Sequence, residues 1–299
     1  MPIVLNGITI SGGVTFAAGT FTTAEFAFGG PSTISNSVTN TGILGSDVTN
    51  AVQSRRGAAG ASYGGDKGIF GFGQLPSISY TNISTLVSNT GVLASDTAGV
   101  GTARGRLAAC GYGTDTAIFG YGTTGTATAV TNLVSNTGVV ATNTTGVGSS
   151  RLYLAAAKYG GDKGIFGFGF ISAATSVTNL VSNTGVVATN TAGVGTARSQ
   201  LAACGYGTDT AIFGFGNDGA TDVSMTNLVS NTGVVATDTA GVGTARNPSA
   251  VMYGPGVGMF AWGGGTVIVN LVSNTGVVAT DTVYAGASRG EVAACAVGG

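Results

Sequence analysis

The tripeptide Asn-Thr-Gly recurs along the whole chain at a nearly constant spacing. The steps between successive copies are 49, 47, 47, 48 and 43 residues. The copies begin at Asn40, Asn89, Asn136, Asn183, Asn231 and Asn274. An arginine follows each copy by 15 residues, at Arg55, Arg104, Arg151, Arg198, Arg246 and Arg289. A period in the forties is the signature of a repeat architecture, so this spacing constrains the fold more strongly than any local motif.

Each repeated unit reads as four short strands joined by glycine-rich turns. In the copy at 178–216, the runs 178–182 and 186–189 flank Asn-Thr-Gly, and the runs 199–204 and 210–215 follow. Asn and Gly between apolar runs favour a hairpin, because both residues tolerate the positive φ that tight turns require. The 54 glycines disfavour helices. Four strands in a unit of about 40–50 residues are typical of a propeller blade.

The two ends of the sequence complement each other. The last copy ends 10 residues after Arg289, without the aromatic segment that follows the other arginines. The segment 23–29, TAEFAFG, supplies that motif, with Phe26 and Phe28 at the positions of the repeated aromatic pairs. We therefore expect one unit to be shared between the two ends. Such sharing would close a ring of six units and leave no open strand edge.

At this point the units resemble a known family. An arginine, small residues, a turn, an aromatic strand ending in glycine, a variable loop and a hairpin follow one another as in kelch-type repeats, over about residues 20–299. The resemblance implies an all-β, six-bladed propeller with four-stranded blades, the strand after each arginine lying innermost. The family's Gly-Gly doublet has counterparts only at Gly29-Gly30 and Gly263-Gly264. The near-identical copies, and the opening segment 1–16, are also similar to bacteriophage tail, fibre or head-appendage proteins.

Charge and hydropathy exclude several classes of partner. The net charge is −1, and only 8% of the residues are charged. A nucleic-acid binder would carry a basic stripe, which is absent from the sequence. No apolar run reaches the length of a membrane span, and residues 1–13 lack the positive start of a signal peptide. We expect no nucleic-acid partner, no membrane insertion, and synthesis in a host cytoplasm.

The residues that usually carry chemistry have structural interpretations here. The sequence contains no histidine, the commonest general base and metal ligand. Cys110, Cys204 and Cys295 occupy one repeat position that is Ala61, Ala157 and Met252 in the other units, which indicates buried packing rather than a three-thiolate metal site. Two G-x-G-x-x-G matches, at 120–125 and 214–219, precede no helix and therefore lack a phosphate cradle. We predict no catalytic residue, no cofactor and no metal.

Three further repeated features are expected to stabilise the fold rather than to bind a ligand. The six arginines are expected to brace the blades, with an anion-binding ring as the alternative. Their expected partners recur seven positions after each Asn, at Asp47, Asp96, Asn143, Asn190, Asp238 and Asp281. Turn aspartates are expected to cap their own turns, at Asp66, Asp115, Asp162 and Asp209. The aromatic pairs, such as Phe213 and Phe215, are predicted to face the same side of a strand and to form the core between blades.

Two parts of the chain do not repeat. Residues 1–20 form a predicted N-terminal arm ahead of the propeller at 21–299, with Ile8, Ile10, Val14 and Phe16 as its apolar positions. This arm is either an attachment segment or an extra strand packed on the ring. The segments between the aromatic strand and the next Asn-Thr-Gly also diverge, at 74–80, 123–130, 170–177 and 217–225. Candidate binding residues in and beside them are Tyr80, Phe170, Asp218 and Asp222, with unconstrained drift as the alternative.

These features together predict a non-enzymatic structural component of a bacteriophage virion. Its expected partners are other virion structural proteins, and a host-surface glycan or protein for the divergent loops. The alternative is a lectin-like or protein-binding propeller module without a role in a virion.

Overall fold

The protein is an all-β chain. The computed structural model describes residues 3–5, 8–10, 22–30 and 32–298. Within these ranges it contains 22 β-strands and no helix. Strands β1 (Ile3–Leu5) and β2 (Ile8–Ile10) form an antiparallel hairpin. The remaining described strands form six antiparallel sheets of three or four strands, which confirms the predicted all-β class.

Each of the six sheets has the same three-strand plan. The first strands, which follow the repeated arginines, are β6 (Ala59–Tyr63), β9 (Ala108–Tyr112), β12 (Ala155–Tyr159), β15 (Ala202–Tyr206), β18 (Ser249–Gly254) and β22 (Ala293–Ala296). The second, aromatic strands are β7 (Lys67–Gln74), β10 (Thr116–Gly120), β13 (Lys163–Gly167), β16 (Thr210–Gly214), β19 (Val257–Ala261) and β3 (Thr22–Ala27). The third strands are β8 (Tyr80–Val87), β11 (Thr131–Val134), β14 (Thr178–Val181), β17 (Thr226–Val229), β20 (Ile268–Val272) and β4 (Ile34–Thr39).

One sheet joins strands from the two ends of the chain. Its strand order is β22-β3-β4-β5, where β5 is Val48–Thr49. Ala294 of β22 lies opposite Phe26 of β3, as Ala203 lies opposite Phe213 in a sheet built from one continuous segment. The predicted pairing of the segment around Phe26 with the last unit is therefore confirmed.

The fourth strand is shorter than the sequence indicates. Only two sheets have one, namely β5 and β21 (Thr282–Val283), among the described residues. In the other four, the outer segment makes two isolated bridges to the third strand, as between Val181 and Val187 and between Thr178 and Thr191. The run 186–189, predicted as a strand, is not one. Val186 is 65% exposed, so this segment buries too little apolar surface to favour extended pairing.

The sheets pack against one another in a cyclic order. The first strands contact one another in the sequence β6, β9, β12, β15, β18 and β22, and β22 in turn contacts β6. Each buried apolar cluster combines residues of two neighbouring sheets, such as Tyr63 of β6 with Phe119 of β10. The core is therefore divided into layers between sheets.

The aromatic pairs link three sheets rather than two. Phe213 packs on Phe168 of the preceding sheet, with ring centroids 5.1 Å apart. Phe215 packs on Phe260 of the following sheet at 4.9 Å. The prediction that both rings face one side is wrong, because β16 ends at Gly214 and Phe215 has a left-handed φ of 62° that turns its ring to the other side. The same conformation recurs at Phe28, Phe72, Tyr121, Phe168 and Trp262. The predicted role of the pairs in the core between sheets is confirmed.

The three cysteines pack against glycines of the next sheet. A Cβ placed on Gly164 would lie 2.7 Å from Sγ of Cys110. The same is true of Gly258 and Cys204, at 2.7 Å, and of Gly68 and Cys295. At two of the other three interfaces alanine replaces both partners, since Ala61 shares a cluster with Ala117 and Ala157 shares one with Ala211. At the third, Val251 shares a cluster with Ala24. Each cysteine is thus matched by a glycine on the next sheet, which explains why units with and without a cysteine alternate.

The strand register corrects the prediction that Met252 is the counterpart of the cysteines. Phe260 pairs with Ala250, which follows Arg246 by four residues, whereas Phe213 pairs with Ala203, five residues after Arg198. The connection after Arg246 is therefore one residue shorter. As a result Val251, and not Met252, is the counterpart of the cysteines. Burial raises the pKa of the Cys110 and Cys204 thiols to about 12, so both stay protonated at neutral pH.

This complementarity predicts a compensating pair of substitutions. Gly164→Ala should destabilise the protein by about 1–3 kcal/mol through overpacking, and Cys110→Ala by about 1 kcal/mol through lost packing. The double variant should be more stable than Gly164→Ala alone, because it recreates the Ala61–Ala117 pairing. Urea unfolding of the three variants measures the coupling. As a matched control, Ala61→Cys should destabilise the protein and Ala117→Gly should restore it; simple additivity in either pair would contradict the proposed matching.

A buried carboxyl lies where the two ends of the chain meet. Glu25 of β3 is opposite Cys295, at the position that is Ile69, Ile118, Ile165 or Ile212 in other sheets. Desolvation raises the pKa of Glu25 from 4.5 to about 7, against the lowering effects of a hydrogen bond with Ser35 and the charge of Arg289. Its Oε2 has no hydrogen-bond partner. The folded chain therefore holds this proton more tightly than the unfolded chain does.

We expect the free energy of unfolding to fall as the pH rises from about 4.5 to about 7. Across that window the unfolded chain has released the proton and the folded chain retains it, so deprotonation costs the folded state roughly 3 kcal/mol. Urea unfolding at pH 5 and pH 8 measures this slope, and the chain has no histidine to titrate in the same range. Glu25→Gln and Glu25→Ile should abolish the slope; a slope that survives both would assign it to another group.

Candidate functional site: the channel and its two mouths

The six repeated arginines are buried between the sheets. Each is at most 5% exposed, and each guanidinium lies over an aromatic ring of the preceding sheet, 4.1–4.9 Å from its centroid. The pairs are Arg55–Phe28, Arg104–Phe72, Arg151–Tyr121, Arg198–Phe168, Arg246–Phe215 and Arg289–Trp262. The arginine of every sheet therefore contacts its neighbour, and the predicted bracing role is confirmed. An anion-binding ring is excluded, because these guanidinium groups are not accessible.

Hydrogen bonds anchor each arginine to its own sheet. Arg246 donates from Nε to the carbonyl oxygen of Trp262 at 2.7 Å, and from Nη2 to Oδ1 of Asn270 at 2.6 Å. Arg104 and Arg151 donate in the same way to the carbonyl oxygens of Tyr121 and Phe168, both at 2.8 Å. Burial lowers the pKa of Arg246 to about 10, so the group is still charged at neutral pH.

The repeated Asp and Asn residues clamp the loop that leads to each arginine. The backbone amide and Oγ1 of Thr196 both donate to Oδ2 of Asp238, at 3.0 and 2.7 Å. Asn227 donates to Oδ1 of the same carboxylate at 2.9 Å. Only Asp96 is also ion-paired with its arginine, Arg55, at 3.3 Å among the described residues. These side chains brace the backbone, as the sequence indicated.

The first strands line a channel of about 490 Å³. Burial alternates along them, and the more accessible positions are small residues, namely Gly60, Ala109, Ala156, Ala203, Ala250 and Ala294. The next accessible layer contains Lys158, whose pKa is lowered by burial. The wall is therefore mostly apolar and uncharged.

One mouth of the channel is made of the turns after the first strands. The amide of Gly64 donates to the carbonyl oxygen of Asp115 in the next sheet at 2.7 Å, and Gly113 and Gly160 repeat this bond to Asp162 and Asp209. The carboxylates of Asp66 and Asp162 pair with Lys67 and Lys163, at 2.6 and 2.8 Å, and these bonds lower the pKa of both aspartates. The backbone carbonyl oxygens of these aspartates thus join neighbouring sheets, and Oδ2 of Asp66 also accepts from Asn89 at 3.0 Å. The capping of each turn by its own aspartate stays a prediction. No group of three or more metal-binding side chains occurs in the described part of the chain.

The opposite mouth carries five residues in the left-handed conformation. Each stands two positions after a repeated arginine: Gly57, Arg106, Tyr153, Gln200 and Glu291, with φ of 54–57°. Backbone bonds connect four of them around the mouth, from Arg106 to Gly57, from Tyr153 to Arg106 and from Gln200 to Tyr153, at 2.7–3.0 Å. The position is missing from the sixth sheet, where the connection after Arg246 is one residue shorter. Four side chains occupy a conformation that costs about 1 kcal/mol or more for a residue other than glycine.

These four side chains form a polar arc with Arg56. Nε of Arg56 and Nε of Arg106 lie 3.9 and 4.0 Å from the carboxylate oxygens of Glu291. The guanidinium of Arg106 lies 4.9 Å from the ring centroid of Tyr153, and the backbone amide of Gln200 donates to the carbonyl oxygen of Tyr153 at 2.8 Å. Sequence reasoning missed this arc. Its only signal was two variable positions between the arginine and the small residues of an otherwise repeated unit.

The divergent loops lie on the same side of the sheets as the polar arc. Arg56, Gly105, Leu152 and Ser199 bridge to Gln74, Thr123, Phe170 and Asn217, where these loops begin. Tyr80 is half-buried beside Gly105, and Phe170 is 38% exposed. Asp218 accepts bonds from the amides of Ala220 and Thr221, both at 2.8 Å, and Asp222 accepts one from Asn217 at 2.9 Å.

The predicted binding residues do not form one site. They belong to three different sheets, and no hydrogen bond or ring contact joins Tyr80, Phe170 and the two aspartates across the described residues. Of the predicted arm residues, Ile8 and Ile10 lie in β2, whereas Val14 and Phe16 are outside the described residues. The attachment role of the arm stays a prediction.

Comparison with known proteins gives no assignment. No family model matches this chain, and no curated protein matches it. In the described residues there is no helix of the length and apolar character needed to cross a membrane.

The buried arginines should contribute far more to stability than Arg106 of the arc, which is partly accessible. We expect Arg151→Met to cost about 2–4 kcal/mol, because the carbonyl oxygens of Phe168 and Ser149 lose their donors in a buried setting. Arg106→Met should change stability by no more than about 0.5 kcal/mol, since Arg106 makes only loose, solvent-accessible contacts. Urea unfolding compares the two. Equal losses would show that the location of the arginine between sheets is not what stabilises the fold.

Proposed function

We propose that this chain is a six-bladed, kelch-like β-propeller that serves as a non-enzymatic structural component of a bacteriophage virion. The cyclic contacts of the six first strands, and the sheet shared by both ends, support the propeller. The tail, fibre or head-appendage role rests on the resemblance of the repeats and on the surface described next. Other virion structural proteins are its proposed partners.

The observation that carries the assembly role is a repeated apolar surface. Each Asn-Thr-Gly turn is followed by one exposed β-branched residue, 55–65% accessible in all six units. These are Ile43, Val92, Val139, Val186, Val234 and Val277. The turns lie beside the ends of the first strands, as where Gly138 contacts Tyr63, and therefore on the side of the turn aspartates. We call this side the repeat face.

The two sides of the molecule suit two different kinds of contact. The repeat face presents the same apolar group six times, which suits a partner of matching symmetry, because each contact is then formed six times over. The opposite side, the divergent face, carries the variable loops and the polar arc. It presents a different group in each unit and suits a single asymmetric ligand such as a host-surface glycan or protein.

The assembly role is tested by replacing the apolar ring. Val92, Val139, Val186, Val234 and Val277 changed together to Thr should leave the melting temperature unchanged, because these side chains are exposed. Incorporation into phage particles, measured with a tagged chain, should fall at least about tenfold, since apolar area is lost at every repeated contact. Val48→Thr with Val283→Thr, exposed valines outside the ring, is the matched control. Normal incorporation of the ring variant would rule out docking through the repeat face.

A lectin-like or protein-binding module without a virion role is the second candidate. The divergent face favours it through exposed apolar residues at loop tips, Ile78 at 72%, Phe170 at 38% and Ile171 at 44%. Genes for portal, sheath or capsid proteins beside this one would favour the virion role instead.

A further inference from the structure

We propose that the polar arc at the divergent mouth binds a small acidic sugar, one that carries a single carboxylate and several hydroxyl groups. The arc consists of Arg56, Arg106, Tyr153, Gln200 and Glu291. This proposal does not depend on a role in a virion.

Both arginines of the arc have N–H groups that donate no hydrogen bond among the described residues. Among the described residues, the guanidinium of Arg106 donates no hydrogen bond, and its only side-chain contacts are Glu291 at 4.0 Å and the ring of Tyr153. Arg56 uses Nε for Gln74, at 3.0 Å, which leaves its terminal nitrogens unengaged. The side chain of Arg56 is 42% exposed and that of Arg106 28% exposed. Two accessible guanidinium forks next to each other match the two oxygens of a carboxylate.

The charge of the arc selects a monoanion. Two arginines and Glu291 give the arc a net charge of +1, so one carboxylate neutralises it. A phosphate monoester carries nearly two negative charges at neutral pH, and the second would stand near the carboxylate of Glu291. A carboxylated ligand is therefore favoured over a phosphorylated one.

The remaining groups of the arc suit the hydroxyls of a sugar. Glu291 accepts hydrogen bonds, Gln200 both donates and accepts, and the Tyr153 hydroxyl does the same. The residues that directly follow the arc, including Leu107, Leu154 and Val292, belong to the lining of the channel. The arc therefore lies next to the end of the channel, where a ligand held by the two arginines would also meet apolar residues.

The side chains at the left-handed positions differ from one unit to the next. Gly57 shows that glycine satisfies the left-handed position at no steric cost. Four units instead place Arg, Tyr, Gln and Glu there, all different, while the apolar and small residues that follow are nearly the same. Strained positions of this kind cluster at ligand clamps, and the sixth sheet, with its shorter connection after Arg246, lacks the position.

Binding is tested with three pyranoses that differ in one substituent. Glucuronate, glucose and glucose 6-phosphate are each titrated up to about 10 mM and followed by ligand-observed NMR. We expect glucuronate to bind at least about tenfold more tightly than either of the others. Arg106→Gln should weaken glucuronate binding about tenfold, and Glu291→Gln should raise the affinity for glucose 6-phosphate relative to glucuronate. Lys67→Ala, at the opposite mouth, is the matched control and should leave binding unchanged.

Several results would overturn the proposal. They are the absence of glucuronate binding at 10 mM, equal binding of glucose and glucuronate, or an Arg106→Gln variant that binds normally. Binding of a short peptide through its C-terminal carboxylate, without binding of glucuronate, would assign the arc to a protein partner. Melting temperatures of the variants separate loss of binding from loss of fold. Incorporation into particles is measured separately, so failure here leaves the assembly role standing, and the reverse also holds.

Discussion

The fold depends on a charged group buried between apolar sheets. Each arginine stacks on a ring of the preceding sheet and donates to the backbone of its own, as Arg151 does with Tyr121 and with the carbonyl oxygen of Phe168. A guanidinium suits this position because its planar face can lie on a ring while its edges donate hydrogen bonds. A buried charge without such partners would be strongly destabilising. The sheets are therefore held at a fixed separation and orientation, because that placement gives every arginine a ring of the preceding sheet to stack on and at least one hydrogen-bond acceptor in its own sheet.

The second aromatic residue of each sheet is the counterpart of this interaction. The carbonyl oxygen of Tyr121 accepts from Arg104 of its own sheet, and its ring lies under Arg151 of the next. Reaching both requires the left-handed backbone seen at this position in all six sheets. The strain is offset by the contacts, so the same residue ends its strand and joins two neighbours. The arginine and this aromatic residue thus connect each sheet to the next.

The sequence predicted the elements whose signal is repetition. The all-β class, the sharing of a sheet by both ends and the bracing arginines followed from spacing, and the structure agrees. Local conformation could not be read in the same way. The alternation rule assigned Phe213 and Phe215 to one side, because nothing in Phe-Gly-Phe-Gly shows that the second ring takes a positive φ. The outer runs looked like strands because valine favours strands, but Val186 has no apolar partner to cover it. The polar arc escaped notice because single substitutions within copies resemble drift until the register places them around one mouth.

The two mouths of the channel differ in how strongly their residues repeat. At the turn mouth, an identical bond from glycine to aspartate carbonyl joins most neighbouring sheets, so a change in one unit would disturb the next. At the other mouth, the repeated requirement is only a left-handed backbone, which constrains φ and leaves the side chain free. Residues at this position can differ without loss of the contacts made by the arginine two positions earlier. The shorter connection after Arg246 is tolerated for the same reason, since Arg246 still reaches Phe215 and Trp262. A molecule built from copied sheets can therefore vary its side chains at one mouth while the contacts between sheets stay the same.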